Sequence, residues 1–291
     1  MTITVDCRCI DVSGIGVYLK GCLPYFLASS HNFVLLGDAE RLHNFVNDYQ
    51  NYTIVPCTVK PFSISELLVF PKYIKKIINS TSLYYSPYFN IPDGITVPVY
   101  TTIHDIIFPD MPELTSKLGL MARMWFFRRA FRFSKKIFTV SIFSKSRIEH
   151  FLGNTKPVIV THSAIQPYLL HIDTHNIQKN ETILFIGNIK KHKGLWCLLE
   201  AFFLAKNAGL QHKLVIVGDK DNFRSSDTES LTKLAHIDPS VVEFTGRIPN
   251  EKLKTLLAEA ALLVQPSLYE GFGLPPLEAM IAGTSALVSD I

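Results

Sequence analysis

The stretch TILFIGNIKKHKGLWCLLEAFFLAKNAGLQHKLVIVGD, residues 182–219, decides the fold class of this chain. It begins and ends with short apolar runs that are rich in β-branched residues and bounded by Gly or Asp, as buried strands are. Between these runs, apolar residues recur at helical spacing from Leu195 to Phe203. A helix between two uniformly apolar strands predicts a parallel sheet that helices cover on both faces.

The same alternation continues to the end of the chain. Further strands are predicted at VVEFTG (241–246), ALLVQPS (261–267) and SALVSDI (285–291), and further helices at SSDTESLTKLAHI (225–237), PNEKLKTLLAEA (249–260) and PPLEAMIAG (275–283). The last domain would then have five strands and four helices. We expect it to be incomplete, because the chain stops directly after the fifth predicted strand.

The first half has a similar but less regular pattern. Strands are predicted at TITVDCRCI (2–10), NFVLLGD (32–38), YTIVPCTV (52–59), VPVYTTIHD (97–105), KIFTVSI (136–142) and PVIVTHS (157–163), and helices at GIGVYLKGCLPYFLAS (14–29) and ELTSKLGLMARMWFFRRAFR (113–132). The segment 171–181 is polar and is predicted to be a linker. It would join a first domain, residues 1–170, to a second domain, residues 182–291. The fold class is therefore α/β, with two Rossmann-like domains that we expect to face a cleft, since such sheets bind ligands beyond the carboxyl ends of their strands.

Composition excludes several classes of protein. Hydrophobic residues make up 47% of the 291, no apolar run reaches 18 residues, and the N-terminus lacks the basic region of a signal peptide. Five scattered cysteines indicate reduced thiols in a cytosolic protein, and we expect Cys7 and Cys9 to pack in the core from one face of a strand. Residues 1–150 carry 16 basic and 11 acidic residues, against 13 and 14 in 151–291, so the two halves are expected to have different partners.

The stretch SLYEGFGLPPLEAM holds two carboxylates, Glu270 and Glu278, on either side of residues that cannot continue a helix. It predicts a loop that carries Glu270, then a helix that starts near Leu274 and has Glu278 in its first turn. Backbone amides at such a helix start attract phosphate, and the carboxylates can accept hydrogen bonds from hydroxyls. The alternative is that Glu278 only stabilises the helix terminus through the dipole.

Here the sequence resembles a known family. PSLYEGFGLPPLEAMIAGTSALVSD is similar to the Glu-x7-Glu signature of retaining glycosyltransferases of the GT-B fold, the glycosyltransferase family 4 (group 1) type. FIGNIKKHKGLWCLLEAF, LVIVGD, VEFTGRIPNEKLKTLLAEAALLVQPS, DVSGIGVYLKGCLPYF and TTIHDIIFPD also look like this family, in its order. The resemblance covers nearly the whole chain and makes 1–170 the acceptor-side domain and 182–291 the nucleotide-sugar domain.

The resemblance implies a role for each matching position. Glu278 would bind ribose hydroxyls, and Glu270 would contact the transferred sugar and stabilise charge near the anomeric carbon. The implied catalytic residues are His104, Lys193 and Glu270, and the implied donor-binding residues are Gly16, Asn188, Lys193, Phe272, Gly273, Leu274 and Glu278. Asn188 stands where many members have Arg, so Lys190, Lys191 or His192 would have to supply the second positive charge. A plain turn at Gly14 and Gly16, a solvated loop at Lys193 and a merely structural His104 remain alternatives.

The implied reaction moves a mannose-like or glucose-like hexose from a GDP- or UDP-linked sugar to a glycan or lipid-linked acceptor. Retention would follow from front-face attack, with the leaving phosphate oxygen taking the acceptor proton. The resemblance implies no cofactor and no metal. It does imply a setting in bacterial O-antigen, capsule or exopolysaccharide synthesis. The alternative is a truncated relative that binds nucleotide-sugar without turnover. A dinucleotide oxidoreductase is disfavoured, because SGIGVYLKG has only the first two glycines of the G-x-G-x-x-G pattern.

Residues 114–148 contain nine basic residues, interleaved with aromatic ones, and no acidic residue. Such a helix is typical of a membrane surface, to which Arg123, Arg128, Arg129 and Arg132 would contribute. The alternative is a core helix with a solvated basic face. Nucleic acid fits less well, because no basic stripe continues elsewhere. We therefore expect a cytoplasmic protein that associates peripherally with the inner face of the plasma membrane.

Overall fold

A computed structural model describes residues 1–170, 172, 174, 177–218 and 238–291. Contacts divide the chain into two compact units, Met1–Ala164 and Ile165–Ile291. Residues 165–170, which the sequence placed in the first domain, belong to the second unit because Leu169 is fully buried in its core. No helix of the described residues is long and apolar enough to cross a bilayer.

The first unit is built on a seven-stranded parallel sheet with the order β3-β2-β1-β4-β5-β6-β7. Its strands are β1 Thr2–Asp6, β2 Asn32–Gly37, β3 Tyr52–Pro56, β4 Leu83–Ser86, β5 Val99–Thr102, β6 Ser134–Thr139 and β7 Val158–Val160. Its helices are α1 Ser13–Leu27, α2 Ala39–Val46, α3 Ile64–Leu68, α4 Lys72–Asn79, α5 Ile107–Asp110, α6 Lys117–Phe133 and α7 Ile142–Leu152. The chain thus winds outward in both directions from the central pair β1 and β4.

Several features of the first unit differ from the sequence prediction. Strand β4 and helices α2, α3, α4, α5 and α7 were not predicted, since short elements with few apolar residues give weak periodicity. The prediction that Cys7 and Cys9 lie on a strand is wrong. Strand β1 ends at Asp6, and the amides of Ile10 and Val12 donate to the carbonyls of Cys7 and Cys9 in successive turns. Both thiols are nevertheless fully buried, as core residues are.

The second unit has a five-stranded parallel sheet with the order β10-β9-β8-β11-β12. Its strands are β8 Thr182–Ile186, β9 Lys213–Val217, β10 Val242–Gly246, β11 Leu262–Gln265 and β12 Ser285–Val288. Its described helices are α8 Leu195–Asn207, α9 Asn250–Glu259 and α10 Leu274–Ile281. All five predicted strands are present, and the helix predicted at 225–237 lies outside the described residues.

Apolar side chains cover both faces of this second sheet. Leu184 and Val215 belong to one buried cluster, while their strand neighbours Phe185 and Ile216 belong to the other. Successive strand residues point to opposite faces, so two apolar faces require a continuously apolar strand. The apolar runs of 182–219 therefore predicted the layering of this sheet correctly, and the fold class of the whole chain is confirmed.

The strand order fixes where a site can form in the second unit. Strands β8 and β11 are neighbours, but the chain leaves β8 towards β9 and leaves β11 towards β12, on opposite sides. The loops that follow β8 and β11 diverge from this switch point and leave a crevice beyond the carboxyl ends of the strands. Both glutamates and Lys193 lie in the chain that follows these two strands.

Candidate active site

The loops after β8 and β11 bring together two residues that the sequence separates by 77 positions. The Lys193 ammonium donates a hydrogen bond to Glu270 Oε1 over 2.7 Å. Both side chains are largely buried yet keep about a fifth of their surface exposed, 22% and 19%. The two residues to which the sequence assigned catalytic roles in this unit therefore form one ion pair that a ligand can still reach.

A backbone contact fixes the distance between these two loops. Gly194 has a φ of +70°, and a Cβ atom built on it would lie 1.8 Å from the carbonyl oxygen of Pro266. Beside it, the amide of Leu268 donates to the carbonyl of His192 over 2.7 Å. Only glycine permits both the left-handed conformation and this approach, so Gly194 sets the position of Lys193 relative to Glu270.

Two further residues orient Glu270, and the sequence analysis did not identify them. Ser267 Oγ donates to Glu270 Oε1 over 2.8 Å, and Gln265 Nε2 donates to Ser267 Oγ over 3.3 Å. Lys193 and Ser267 thus share one carboxylate oxygen, and no described residue donates to Glu270 Oε2. The signal was present in the sequence, since Gln265 and Ser267 are polar residues at the carboxyl end of a buried strand.

Helix α10 begins beside this ion pair. Its N-cap is Gly273, with a φ of +85°, and Leu274 is the first helical residue, so Phe272, Gly273 and Leu274 lie at the helix N-terminus as predicted. Pro275 follows directly and has no amide hydrogen, which is tolerated in a first turn where amides lack helical partners. The backbone here is suited to an anion, and Glu270 lies four residues before the helix begins.

Glu278 does not lie in the first turn of the helix, and that part of the prediction is wrong. Because α10 begins at Leu274, Glu278 is its fifth residue and starts the second turn. The side chain is buried, and burial raises the pKa of Glu278 to about 7. The effect of the helix dipole falls off within the first turn, so it acts only weakly on Glu278.

Tyr168 lies close to this carboxylate. Burial, followed by the negative charges of Glu278 and Glu251, raises the pKa of Tyr168 to about 12. No described residue donates a hydrogen bond to the side-chain carboxylate of Glu278. A buried carboxyl group without donors can still accept hydrogen bonds from a ligand, which would lower its pKa again.

The cations around Lys193 are not equivalent. Asn188 is half-buried in the loop after β8, where the resemblance led us to seek a second positive charge. Burial, then the charges of Lys193 and Lys190, lower the pKa of His192 to about 4. His192 is therefore neutral at pH 7 and cannot be that charge, whereas Lys190 and Lys191 are exposed.

In the first unit, His104 follows β5 at the carboxyl edge of the sheet, as predicted. Its Nε2 donates to the carbonyl of Pro87 over 2.9 Å, and its ring meets Tyr18 edge-on with centroids 5.0 Å apart. Burial lowers the pKa of His104 to about 4. His104 is therefore neutral at pH 7, and the bond to Pro87 leaves Nδ1 as an unprotonated acceptor.

Gly16 has a structural reason to be glycine. It is buried in the first turn of α1, and a Cβ atom there would lie 2.3 Å from the carbonyl oxygen of Ile10. Its amide already donates to the carbonyl of Val12 over 2.9 Å. The predicted donor contact through Gly16 therefore cannot use this amide, and close packing explains the residue.

The four arginines predicted at a membrane surface fall into two pairs on α6. Arg123 donates to Thr115 and Gly119, and its guanidinium lies over Phe108. Arg129 donates to the carbonyl of Ile91 and to Asp93, and its side chain is only 10% exposed.

Arg128 and Arg132 are instead exposed, on the same helix face as three exposed apolar residues. We call this the α6 surface, consisting of Leu118, Met121, Trp125, Arg128 and Arg132. The spacing of three and four residues keeps its members on one side of the helix. Arg128 and Arg132 are thus exposed to solvent, whereas Arg123 and Arg129 make internal contacts, and the membrane role of this surface stays a prediction.

The sequence resemblance implied no metal site, and this absence stays a prediction. Within the part of the chain that the structure describes, no cluster of three or more His, Cys, Asp or Glu residues could hold a metal ion. The absence of a cofactor requirement stays a prediction.

The architecture is that of the GT-B glycosyltransferases, two Rossmann-like α/β domains with parallel sheets. A crystal structure of Anabaena Alr3699/HepE in complex with UDP and glucose matches it with a TM-score of 0.72. The match covers 100% of this chain and 81% of that one at 18% sequence identity, a likeness that shows the fold.

Sequence comparison finds similarity to a family of known proteins in the second unit. Residues 170–291 match the model of the family described as glycosyl transferases group 1. The chain is 28% identical over 222 residues to O-antigen chain mannosyltransferase B of Escherichia coli, which covers 72% of this chain and 57% of that protein. It is 30% identical over 112 residues to the GDP-mannose:cellobiosyl-diphosphopolyprenol alpha-mannosyltransferase of Komagataeibacter xylinus, covering 38% of this chain and 28% of that one. The chain thus spans less than two thirds of the length of these relatives.

We predict that Gly194→Ala destabilises the protein more than Gly209→Ala. Both residues have positive φ, which costs other residues about 1–3 kcal/mol, but only position 194 adds a collision with backbone, since nothing lies within 4 Å of a Cβ at Gly209. Urea unfolding followed by circular dichroism measures the difference in midpoint. Equal shifts in the two variants would show that the approach to Pro266 is not the constraint we describe.

We predict that Glu278→Gln stabilises the protein in a pH-dependent way. The pKa of Glu278 is raised to about 7, so the folded state loses stability as pH rises from the ordinary range of a glutamate through 7. The neutral amide avoids this loss, giving a gain of up to about 3 kcal/mol above pH 7 and little gain at pH 4. Thermal unfolding from pH 4 to 8 tests this, with exposed Glu200→Gln as the control. A gain that is constant with pH would contradict the assignment.

Proposed function

We propose that this protein transfers a hexose from a nucleoside diphosphate sugar to a glycan or lipid-linked acceptor, with retention at the anomeric carbon. The observation that carries the proposal is the Lys193–Glu270 ion pair beside the N-terminus of α10, with the buried Glu278 in the next turn. The group 1 family match includes all three residues. Their arrangement offers a cation, amide groups and two carboxylates to a ligand that carries phosphate and hydroxyls.

Each residue has a distinct task in this proposal. Glu278 accepts hydrogen bonds from the ribose hydroxyls, which restores its ionised form. The ammonium of Lys193 has three donors and can bind the diphosphate while it holds Glu270. Glu270 Oε2 is then directed at the transferred sugar, where its negative charge stabilises the developing positive charge.

The chemical step is an exchange at the front face of the sugar. The bond from the anomeric carbon to the diphosphate breaks as the acceptor oxygen approaches on the same face, and the leaving phosphate oxygen takes the acceptor proton. Lys193 and the amides at the start of α10 stabilise the negative charge that develops on the diphosphate. Positioning and charge stabilisation, rather than a covalent enzyme intermediate, supply the rate enhancement.

Mannose is the sugar that the relatives favour. The similar proteins of E. coli and K. xylinus are both named mannosyltransferases, one of the O-antigen chain and one that uses GDP-mannose and a diphosphopolyprenol acceptor. We infer a mannose-like or glucose-like donor and a role in surface polysaccharide synthesis. The similar Anabaena structure holds UDP and glucose, so a UDP-linked donor is the second candidate.

We also propose that the first unit contacts the anionic inner leaflet of the plasma membrane through the α6 surface. Leu118, Met121 and Trp125 offer exposed apolar side chains in the first half of the helix, and Arg128 and Arg132 follow in the second. Such a pattern suits the boundary between headgroups and acyl chains. A lipid-linked acceptor would be met at this boundary.

The main competing function is that of a non-catalytic relative that binds nucleotide-sugar without turnover. The observation that speaks against it is the Lys193–Glu270–Ser267 arrangement, since binding alone would not require an oriented carboxylate. Hydrolysis of the donor in the absence of acceptor distinguishes the two functions.

We predict that Glu278→Ala and Glu270→Ala fail in different ways. A thermal-shift screen of GDP-, UDP- and ADP-sugars first identifies the donor. Glu278→Ala is expected to weaken donor binding by at least about tenfold, because two hydrogen bonds to ribose are lost. Glu270→Ala is expected to slow turnover by about a hundredfold with little change in donor affinity.

Calorimetry measures donor affinity, and release of the nucleoside diphosphate measures turnover. Ser267→Ala is the graded control, because it leaves the Glu270 carboxylate in place and removes only one of its two donors. Its turnover is expected to fall between those of wild type and Glu270→Ala. Equal loss of donor affinity in both glutamate variants would contradict the assigned roles. A screen in which no nucleotide-sugar raises the melting temperature would contradict the proposed function.

We predict that the α6 surface binds anionic vesicles through its outward residues. Arg128→Gln with Arg132→Gln is expected to weaken binding by about 25-fold, since each basic residue near an anionic leaflet contributes about 1 kcal/mol. Trp125→Ser should weaken it further. Arg123→Gln with Arg129→Gln removes the same charge from internal contacts, so it serves as the control in co-flotation at low salt. Equal losses in the two double variants would show that net charge alone decides the binding.

A further inference from the structure

A second exposed surface of the first unit combines apolar and basic side chains. It lies in residues 60–76, the segment that contains α3 and the first five residues of α4. We call it the 60–76 surface, and its exposed apolar and basic members are Lys60, Phe62, Leu68, Val69, Lys72, Tyr73 and Lys76. The four apolar members are all at least 47% exposed, which is unusual for neighbouring large residues in a folded chain.

The segment presents no negative charge to solvent. Its only acidic residue, Glu66, is fully buried and forms an ion pair with Arg8 over 2.6 Å. Tyr88 and Asn90 also donate hydrogen bonds to the Glu66 carboxylate. The exposed charges of the surface are therefore all positive.

The same carboxylate also accepts a hydrogen bond from the backbone of Phe62. The amide of Phe62 donates to Glu66 Oε2 over 2.9 Å while Phe62 has a φ of +60°, a conformation that bulky residues rarely adopt. The Phe62 ring packs against Tyr88 and Phe89, with centroids 4.9 Å and 5.7 Å apart. Strained backbone of this kind persists only where the surroundings enforce it, and it clusters at functional sites.

The 60–76 surface and the α6 surface rest on one apolar cluster. Ile74 of α4 and Ala130 of α6 belong to the same buried group. Phe89 connects the two surfaces, since its ring contacts Phe62 on one side and Phe127 of α6 on the other. The centroids of Phe89 and Phe127 are 4.4 Å apart. Helices α4 and α6 therefore pack on the same face of the seven-stranded sheet, so one external surface could meet both.

We propose that the 60–76 surface is a second binding site for an anionic lipid bilayer, formed by the exposed side chains of Phe62, Leu68, Val69 and Tyr73 and the neighbouring lysines. The occupant follows from charge complementarity: apolar side chains with lysines and no exposed carboxylate match anionic headgroups above acyl chains. A protein partner of mixed charge fits less well, because the surface exposes no carboxylate that could pair with the partner's basic residues. The proposal rests on the proposed function only in taking the acceptor to be carried by the bilayer.

The test places an environment-sensitive nitrobenzoxadiazole label on the surface. In a Cys197→Ser background, which removes the exposed cysteine, Leu68→Cys is labelled and compared with Leu204→Cys. The two leucines are matched, being 69% and 71% exposed, but Leu204 lies on α8 of the second unit. Vesicles contain phosphatidylglycerol and phosphatidylcholine, or phosphatidylcholine alone.

Anionic vesicles are expected to raise the fluorescence of the label at 68, with a shift to shorter wavelength, and to leave the label at 204 unchanged. Neutral vesicles should have little effect. Leu68→Ser with Val69→Ser should weaken flotation at least about tenfold, and Lys72→Gln with Lys76→Gln about 25-fold. Leu204→Ser and Lys252→Gln are the controls and should not change it.

If the protein floats with anionic vesicles but the fluorescence of the label at 68 does not change, binding would be assigned to the α6 surface alone and the proposal would be overturned. Absence of flotation at low salt would overturn it as well, and would leave the surface to a different partner. The donor thermal shift of each variant is measured in parallel and is expected to equal that of wild type. Failure of the proposed function would appear in that shift, independently of the vesicles.

Discussion

The approach of Gly194 to Pro266 is the contact on which the candidate site depends. Parallel strands alone bring two loops to one edge of a sheet, but they do not decide whether side chains on those loops can meet. A Cβ at 194 would lie 1.8 Å from the Pro266 oxygen, so the loops close only because residue 194 is glycine. The 2.7 Å pair of Lys193 and Glu270 follows, as each residue lies within four positions of the contact.

The two glutamates of the candidate site, one before α10 and one within it, differ in environment rather than in chemistry. Glu270 is held by Lys193 and by Ser267, whereas Glu278 is buried with its pKa raised to about 7. A carboxylate that is already oriented suits a reacting centre, and one that becomes ionised on accepting hydrogen bonds suits ligand recognition. Two identical side chains can therefore serve two steps of one reaction.

The sequence predicted the second sheet well because its strands are buried on both faces and are therefore uniformly apolar. It missed β4, whose four residues give no period, and it placed Cys7 on a strand that ends at Asp6. The ion pair of Lys193 and Glu270 could not be predicted, since a long-range contact leaves no local pattern. The sequence likewise shows four arginines on α6, and only the packing separates Arg128 and Arg132 from the two that donate inward.

The basic character of the first unit depends on where its carboxylates point. Asp6 and Glu66 share Arg8, and Asp11 lies between Lys20 and Arg41, so these acids neutralise cations of their own unit. Asp110 pairs with Arg147 and Asp93 with Arg129 in the same way. The excess of positive charge therefore remains on residues without such pairs, which include Arg128 and Arg132 on α6. An overall charge of only +4 can thus support a locally basic face, because these carboxylates are paired with other cations and do not offset Arg128 and Arg132.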